Sequence, residues 1–219
     1  MTAPENPTTL VLLSGGMNSA ALLFDLIRIQ NRPVMEVMTF NTDRPTNEHM
    51  PAMAMANRAG VPISLWNHNV GPFMDVGPEG QPDIPQDFGD AKLELVMMLL
   101  NAAYRAKQRG FLSVVTGHLQ SELFGMTSDE FVHTIDVVTD YTGIIDGTIS
   151  APWWHWKKED IFWYSKNMNV LGEITAYTTS CLEGNEETLH RSWGYGCGEC
   201  RGCKRRAAAW ALYLERLKG

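Results

Sequence analysis

Four cysteines near the carboxyl end place the strongest constraint on how this chain can fold. They are Cys181, Cys197, Cys200 and Cys203, and the 219-residue chain has no others. Two successive Cys-x2-Cys steps bring three thiolates to one point, and the cysteine upstream of a 15-residue spacer supplies a fourth. Four thiolates in this spacing are typical of a structural, tetrahedral zinc ion with no open coordination position.

Other chemistries accept the same four cysteines. An iron–sulfur cluster also takes four thiolate ligands, whereas two disulfides or four reduced thiols need no metal. Disulfides are typical of secreted chains, and the start of this chain, Met-Thr-Ala-Pro-Glu-Asn-Pro, lacks the basic and apolar regions of a signal peptide. We therefore expect a cytoplasmic protein whose cysteines bind a metal.

The amino-terminal part begins with an apolar run followed by a glycine-containing loop. Residues 8–13 have the composition of a buried strand, and the apolar spacing of residues 20–30 predicts a helix. Between them the chain reads Ser14-Gly15-Gly16-Met17-Asn18-Ser19. A strand, a tight turn and a helix present backbone N–H groups and a helix amino-terminus to a phosphate. The loop has neither the Gly-Lys-Ser/Thr of a Walker A motif nor the glycine spacing of a dinucleotide fingerprint.

Strand and helix patterns alternate along the rest of the chain. We predict strands over 33–41, 61–67, 112–116 and 149–153, and helices over 48–59, 90–109, 129–140, 157–167 and 203–217. Alternation with short links implies a parallel sheet with flanking helices. Ligands of such sheets bind at the carboxyl ends of the strands, where His118 is either a site residue or a structural group.

Residues 70–87 carry four prolines and three glycines and fit no periodic pattern. A loop of this length is typical of a lid or an oligomer contact. No apolar run reaches the 18 residues of a membrane span, so we predict no membrane association.

The net charge of −7 argues against a broad nucleic-acid surface, because such surfaces neutralise phosphates with Lys and Arg. Directly after the last cysteine, Lys204-Arg205-Arg206 forms one basic cluster. It resembles an RNA-binding zinc knuckle locally. Alternatively, it is the solvated first turn of a helix that offsets the charge of four thiolates around zinc.

Taken together, the loop and the cysteines resemble one family, the 7-cyano-7-deazaguanine synthases among the PP-loop ATP pyrophosphatases. The loop is similar to the family's Ser-Gly-Gly-x-Asp-Ser, and Thr178-Thr179-Ser180 precedes the first cysteine as it does in the family. Further matches lie in residues 151–161 and in the segment from Phe124 to Phe131.

This resemblance implies an adenine nucleotide alpha hydrolase-like α/β domain over residues 1–175. A small zinc-binding helical lobe over residues 176–219 is expected to pack on it as one compact unit. The implied reaction uses ATP and Mg²⁺ to join 7-carboxy-7-deazaguanine with ammonia, giving first an amide and then a nitrile, in queuosine biosynthesis. The family also implies a homodimer.

The resemblance assigns roles to individual residues, again as expectations. ATP is expected to contact Ser14, Gly15, Gly16, Met17, Asn18, Ser19, Phe40 and Asn41. The deazaguanine pocket is expected to contain His118, Phe124, Gly125, Asp129 and Glu130. Zinc is expected on Cys181, Cys197, Cys200 and Cys203. No residue is indicated as a general base, so the catalytic residues are left unassigned.

Three departures from the family pattern bear on the function. Asn18 stands where the family has Asp, which keeps an acceptor oxygen but removes a charge. The family's Pro-x-Arg-Asn stretch has no counterpart, and its Tyr-Pro-Asp-Cys-Arg segment is shortened to Met126-Thr-Ser-Asp129. The full reaction, a reaction that ends at the amide or uses a related base, and nucleotide binding without catalysis all stay open. The rival functions are another PP-loop enzyme that modifies a nucleobase or tRNA, and a non-catalytic zinc protein that binds nucleotide or a partner.

Overall fold

A five-stranded parallel sheet lies at the centre of the fold. The computed structural model describes residues 8–42, 49–68, 87–123, 126–143, 149–182 and 189–218. The strands are β1 (Thr9–Leu12), β2 (Val34–Thr42), β3 (Ile63–His68), β4 (Ser113–Thr116) and β5 (Ile149–Ser150). They are arranged in the order β3-β2-β1-β4-β5, and every neighbouring pair is parallel. This confirms the predicted α/β class.

Helices flank the sheet and link its strands. They are α1 (Met17–Phe24), α2 (His49–Ala59), α3 (Asp87–Arg109), α4 (Ser128–Thr142), α5 (Lys158–Asn167), α6 (Leu171–Tyr177) and α7 (Arg201–Arg216). Within the described ranges, no helix is both long and apolar enough to cross a membrane. The loop predicted over 70–87 lies, except for its last residue, outside the described residues.

Alternate side chains of the central strand enter two different hydrophobic cores. Leu10 and Leu12 pack with residues of α3 and α4 on one face of the sheet. Val11 and the following Leu13 pack with α1, α2 and the carboxyl-terminal part of the chain on the other face. Because both faces are covered, all four residues of β1 are buried, and the three that follow Thr9 are apolar.

The first helix changes its hydrogen-bond pattern where a carboxylate is buried. After α1, residues Asp25–Ile29 form one π-helical turn. The Asp25 carboxylate is buried but accepts hydrogen bonds from Tyr164 Oη and Gln30 Nε2, each at 2.7 Å. Burial and this carboxylate raise the pKa of Tyr164 to about 12, so the phenol stays a donor. The buried charge is thereby paired with two donors rather than left unsatisfied.

The fifth strand is shorter than the pattern of apolar residues predicts. It ends at Ser150, and the residues that follow form turns instead of continuing to Trp153. Trp153 belongs to the core that contains α1, whereas Trp154 belongs to the core that contains α4. Trp154 stacks on Phe131 with ring centroids 4.0 Å apart, and its indole N–H donates to Ser128 Oγ at 3.2 Å. Both rings are buried from a turn, so the apolar run marks buried residues here rather than an extended strand.

The carboxyl-terminal lobe contains more than the helices predicted for it. An antiparallel hairpin of β6 (Leu189–Arg191) and β7 (Gly194–Gly196) precedes α7, and the short helix α6, which leads into the lobe, was not predicted either. Strands of three residues carry no detectable period, which is why the pattern missed them. The lobe packs on the sheet domain through α5 and α7, where the Phe162 ring meets that of Trp210 with centroids 5.0 Å apart.

A close backbone approach joins β4 to the start of α1. Gly117 follows β4 directly, and a Cβ built on it would lie 2.8 Å from both the Cα and the N of Ser19. Real Cβ atoms do not approach backbone atoms so closely, so only glycine fits. The end of β4 and the first turn of α1 are therefore held in contact.

Replacing Gly117 by Ala should lower the free energy of unfolding by about 1–3 kcal/mol, because the added methyl group forces β4 and α1 apart. Urea denaturation would measure the change. Gly172→Ala in α6 is the matched control, since a Cβ there meets nothing within 4 Å and Ala favours a helix. Equal stability of the Gly117 variant and the wild type would contradict this close approach.

Candidate functional site

The loop from Ser14 to Ser19 leaves β1 at the carboxyl edge of the sheet and enters α1. Gly15 has φ of 78°, a left-handed conformation that glycine adopts without strain. Gly16 is the N-cap residue, and no side chain in the described part of the chain caps the first turn of α1. The first N–H groups of a helix lack intrahelical partners and carry partial positive charge. This helix start is therefore suited to an anion.

Two serine hydroxyls shape the loop. Ser19 Oγ accepts from the Ser14 N–H at 3.2 Å and lies 3.1 Å from Ser14 Oγ. It also donates to the Gly16 carbonyl at 3.3 Å, and the Gly16 N–H donates to Ser14 Oγ at 3.3 Å. Ser14 is exposed and Ser19 is buried. Ser14 is thus placed to reach a ligand, whereas Ser19 maintains the loop.

The amide of Asn18 contacts a carboxylate that comes from a distant part of the chain. Asn18 Nδ2 donates to Glu122 Oε2 at 2.6 Å. The other carboxylate oxygen of Glu122 forms an ion pair with Lys158 Nζ, at the first residue of α5. A carboxylate and an ammonium group therefore lie beside the loop at the helix start.

Sequence reasoning missed both Glu122 and Lys158 as site residues. Glu122 lies in a single 3₁₀ turn, residues 120–122, after β4. Its separation from Asn18 is 104 residues, so no local spacing reveals the contact. Lys158 did fall in a segment that matches the family pattern, but one lysine of a charged pair carries no signal of its own.

His118 lies at the same edge, one residue after Gly117. Its Nδ1 shares a hydrogen bond of 2.5 Å with Thr116 Oγ1. Burial lowers the pKa of His118, and the negative charge of Glu122 opposes that shift. The imidazole is consequently neutral at pH 7 and already occupied on one nitrogen.

The other residues expected to contact ATP or the base divide into three groups. Met17 has its side chain in the core, so only its backbone faces the loop. Phe40 ends the hydrophobic part of β2 and packs against the core that contains α3, and Asn41 follows it in the same strand. Phe124 and Gly125 lie outside the described residues.

The two acidic residues of the expected base pocket are in the exposed first turn of α4. Glu130 forms a capping box: its Oε2 accepts from the Thr127 N–H at 2.7 Å, and its own N–H donates to Thr127 Oγ1 at 3.2 Å. Asp129 precedes it, where a negative charge favours the helix dipole. Both residues thus have a structural function, and their contact with a substrate stays a prediction.

The four cysteines converge as the sequence predicted. Their Sγ atoms all lie within 4.8 Å of one another, and Cys197 Sγ is 3.9 Å from Cys203 Sγ. A disulfide requires sulfurs about 2.05 Å apart, so these are four free thiols. Tetrahedral thiolates at about 2.3 Å from one zinc ion lie roughly 3.8 Å apart. The cluster can therefore hold a metal ion.

Backbone N–H groups point at the sulfurs. The N–H groups of Glu199 and Cys200 donate to Cys197 Sγ at 3.4 and 3.3 Å, and that of Leu182 donates to Cys200 Sγ at 3.4 Å. The N–H donors lower the pKa of Cys197 to about 7, whereas burial raises the pKa of Cys203 to about 12. A thiol as buried as Cys203 ionises readily only beside a cation.

A buried arginine lies next to the cysteines and joins three segments of the lobe. Arg206 is 0% exposed. Its guanidinium donates to the Trp193 carbonyl at 2.7 Å, the Thr178 carbonyl at 3.0 Å and hydroxyl at 2.9 Å, and the Ile174 carbonyl at 3.2 Å. Burial lowers the pKa of Arg206 to about 9, and the charge of Cys203 opposes this. Of the predicted basic cluster, this residue is thus internal rather than part of a solvated face.

A short strap connects the cysteine cluster to the glycine-containing loop. The Thr179 N–H donates to the Gly15 carbonyl at 3.1 Å. The Cys181 N–H in turn donates to Thr179 Oγ1 at 3.1 Å. The first cysteine is therefore two hydrogen bonds away from the loop, and the cluster helps to fix the loop's position.

Comparisons with known proteins cover nearly the whole chain. A family model described as "Queuosine biosynthesis protein QueC" matches residues 8–214. A 7-cyano-7-deazaguanine synthase of Clostridium novyi (strain NT) is 23% identical over 228 residues, which include 96% of this chain and 97% of that protein. Both matches include the glycine-containing loop and all four cysteines.

Two solved structures have a backbone similar to that of this chain. NMN synthetase from Francisella tularensis has a TM-score of 0.49 and 14% identity, over 77% of this chain and 64% of that chain. The U34-tRNA thiolase NcsA from Methanococcus maripaludis, solved with its 4Fe-4S cluster, has a TM-score of 0.46 and 10% identity, over 97% and 67% of the respective chains.

Replacing Arg206 by Met should lower the free energy of unfolding by about 2–4 kcal/mol, because several buried carbonyl groups lose their donor. Thermal and urea denaturation would measure the loss. Lys204→Met is the matched control, since Lys204 lies two residues away on the same helix and is exposed. If the two variants were equally stable, Arg206 would not hold the lobe together.

Proposed function

This chain belongs to the queuosine biosynthesis protein QueC family, and on that premise we propose that it converts 7-carboxy-7-deazaguanine into 7-cyano-7-deazaguanine. ATP and ammonia are the other substrates. The family match over residues 8–214 supports the general function. The arrangement that supports the use of ATP is the uncapped start of α1 behind Gly15 and Gly16, with the Lys158 ammonium beside it.

The proposed chemistry explains why a nucleotide is needed. A carboxylate resists attack by ammonia because its oxygen is a poor leaving group. Attack of that oxygen on the α-phosphorus of ATP releases pyrophosphate and makes AMP the leaving group. Ammonia then displaces AMP to give the amide. A second activation, at the amide oxygen, followed by loss of AMP and two protons, gives the nitrile.

Positioning and charge stabilisation account for most of the catalysis of such a reaction. In our proposal the N–H groups of Met17, Asn18 and Ser19, in the first turn of α1, bind the departing pyrophosphate, and the exposed Ser14 hydroxyl contributes to the same site. Lys158, at the first residue of α5, neutralises phosphate charge. We assign no general base, because His118 already shares its Nδ1 hydrogen bond with Thr116.

For the cysteine cluster we propose zinc rather than an iron–sulfur cluster. A four-iron cluster binds each thiolate to a different iron and so spreads the sulfurs further apart than a single ion does. The observed sulfur separations, all within 4.8 Å, suit a single ion. Four thiolates around zinc carry two net negative charges, which also compensates the buried Arg206. Zinc would be structural, since no coordination position remains for a substrate.

Anaerobically purified protein should contain about one equivalent of zinc per chain and little iron. Elemental analysis by plasma mass spectrometry would measure both metals. Cys203→Ser is expected to lower the zinc content sharply and Ser192→Ala, an exposed hairpin position, to leave it unchanged. About four irons per chain with a visible charge-transfer band would overturn the zinc assignment.

Incubation with ATP, Mg²⁺, ammonia and 7-carboxy-7-deazaguanine should yield the amide and then the nitrile, both detectable by mass spectrometry. Lys158→Met should lower kcat/KM by about 100-fold or more, as the loss of a charge that stabilises phosphoryl transfer does. Lys157→Met is the matched control, because its side chain is exposed at the neighbouring position.

The outcomes of this assay separate the alternatives. Accumulation of the amide alone would limit the enzyme to the first step. An absence of both products, with ATP left intact, would sink the proposed activity and favour a protein that only binds nucleotide or a partner. Equal activity of the two lysine variants would remove Lys158 from the site.

A further inference from the structure

One amide in the loop has a satisfied nitrogen and an unsatisfied oxygen. Asn18 is only 7% exposed. Its Nδ2 donates to Glu122, and this contact fixes the amide orientation because a carboxylate can only accept. Among the described residues, nothing donates to Asn18 Oδ1. Buried amide oxygens normally have a partner, so this oxygen indicates a ligand.

The neighbouring carboxylate has capacity to spare. Glu122 Oε1 is paired with Lys158, and Glu122 Oε2 accepts one hydrogen bond from Asn18. Each carboxylate oxygen has two lone pairs, so Oε2 can bind a second partner. Amide and carboxylate oxygens are among the hard ligands that Mg²⁺ prefers, and both residues are joined here by the Asn18 Nδ2 contact.

The position of these oxygens determines when a cation would bind. They lie at the positive end of α1, which repels a cation on its own. Phosphate groups bound to the same helix start reverse that field, and Mg²⁺ usually binds through one or two protein oxygens together with substrate phosphates. The site is therefore suited to a cation that arrives with a nucleotide.

We propose that Asn18 Oδ1 and the Glu122 carboxylate bind the divalent cation of the nucleotide complex, so that Glu122 supplies the charge that loop position 18 lacks. This inference rests on the proposed use of ATP. It explains how Asn18 can occupy a position where a carboxylate is expected: the charge comes from another element of the fold.

The surrounding charges are consistent with this arrangement. Lys158 forms its ion pair with Oε1 of Glu122 and does not occupy Oε2, the oxygen that contacts Asn18. Arg205 is also within electrostatic reach of Glu122. Before the nucleotide binds, these two cations thus compensate the charge of the Glu122 carboxylate.

Binding of Mn²⁺, followed by the electron paramagnetic resonance of the free ion, tests the proposal without turnover. The full-length protein would be titrated in the presence of α,β-methylene ATP, whose α–β bridge cannot be cleaved. Glu122→Gln should weaken Mn²⁺ binding by about tenfold or more, since it removes the charged ligand. Glu215→Gln, which removes an exposed carboxylate of α7, is the matched control and should have no effect.

Substitutions at position 18 should change Mn²⁺ affinity in the opposite direction from Glu122→Gln. A gain in affinity cannot result from misfolding. Asn18→Asp should tighten Mn²⁺ binding, because two adjacent carboxylates attract a cation. The same variant should melt at a lower temperature in chelator, where the carboxylates repel each other, and recover when Mn²⁺ is added. The double variant Asn18→Asp/Glu122→Gln returns the charge to the loop and should bind Mn²⁺ within about threefold of the wild type.

The outcomes separate this inference from the proposed function. If the wild type binds the analogue and Mn²⁺ but all position 18 and 122 variants bind Mn²⁺ equally well, the cation is held by phosphates alone and the inference fails. If Asn18→Asp weakens binding of the analogue with or without metal, the site takes an anion, and the inference fails again. If the wild type does not bind the analogue, the proposed use of ATP fails as well.

Discussion

A buried guanidinium holds the carboxyl-terminal lobe in one shape. Arg206 donates to carbonyl groups at the end of α6 and in the turn of the hairpin, so one side chain joins α6, the hairpin and α7. Such a cation is costly to bury unless its donors are satisfied and negative charge lies near. Cys203, three residues before it on α7, places such a charge next to it when its thiol is ionised. The cysteine cluster and the arginine are therefore parts of one electrostatic unit.

Arg206 and the cysteine cluster affect the loop from Ser14 to Ser19 because the segment before Cys181 contacts that loop directly. The strap from Thr178 to Cys181 carries one residue bonded to Arg206, one bonded to the loop carbonyl of Gly15, and one metal-ligand candidate. From the other side, Gly117 presses on the first turn of α1. The loop is thus held between β4 and the lobe, and its N–H groups keep a fixed direction, as a site that works by positioning requires.

The sequence predicted the sheet well because its strands are short apolar runs, whereas its helices have apolar residues at helical spacing. It predicted the cysteine cluster because ligand spacing is a local property of the chain. The short helix α6 and the three-residue strands of the hairpin have no period to detect, and the predicted β5 was too long because Trp153 and Trp154 are buried from a turn rather than from a strand. The charged residues beside Asn18 could not be predicted from the sequence for a different reason. Glu122 and Lys158 approach it only through the order of the strands, and that order is a tertiary property.

The distribution of the two hydrophobic cores has a practical consequence for anyone who wishes to shorten this chain. Side chains of the lobe, among them Trp193, Ala209 and Tyr213, belong to the same core as α1 and the central strand. A truncated protein that ends before the lobe would expose the apolar face behind the glycine-containing loop to water. Expression of the sheet domain by itself would then favour aggregation, so the chain is better studied and engineered as a whole.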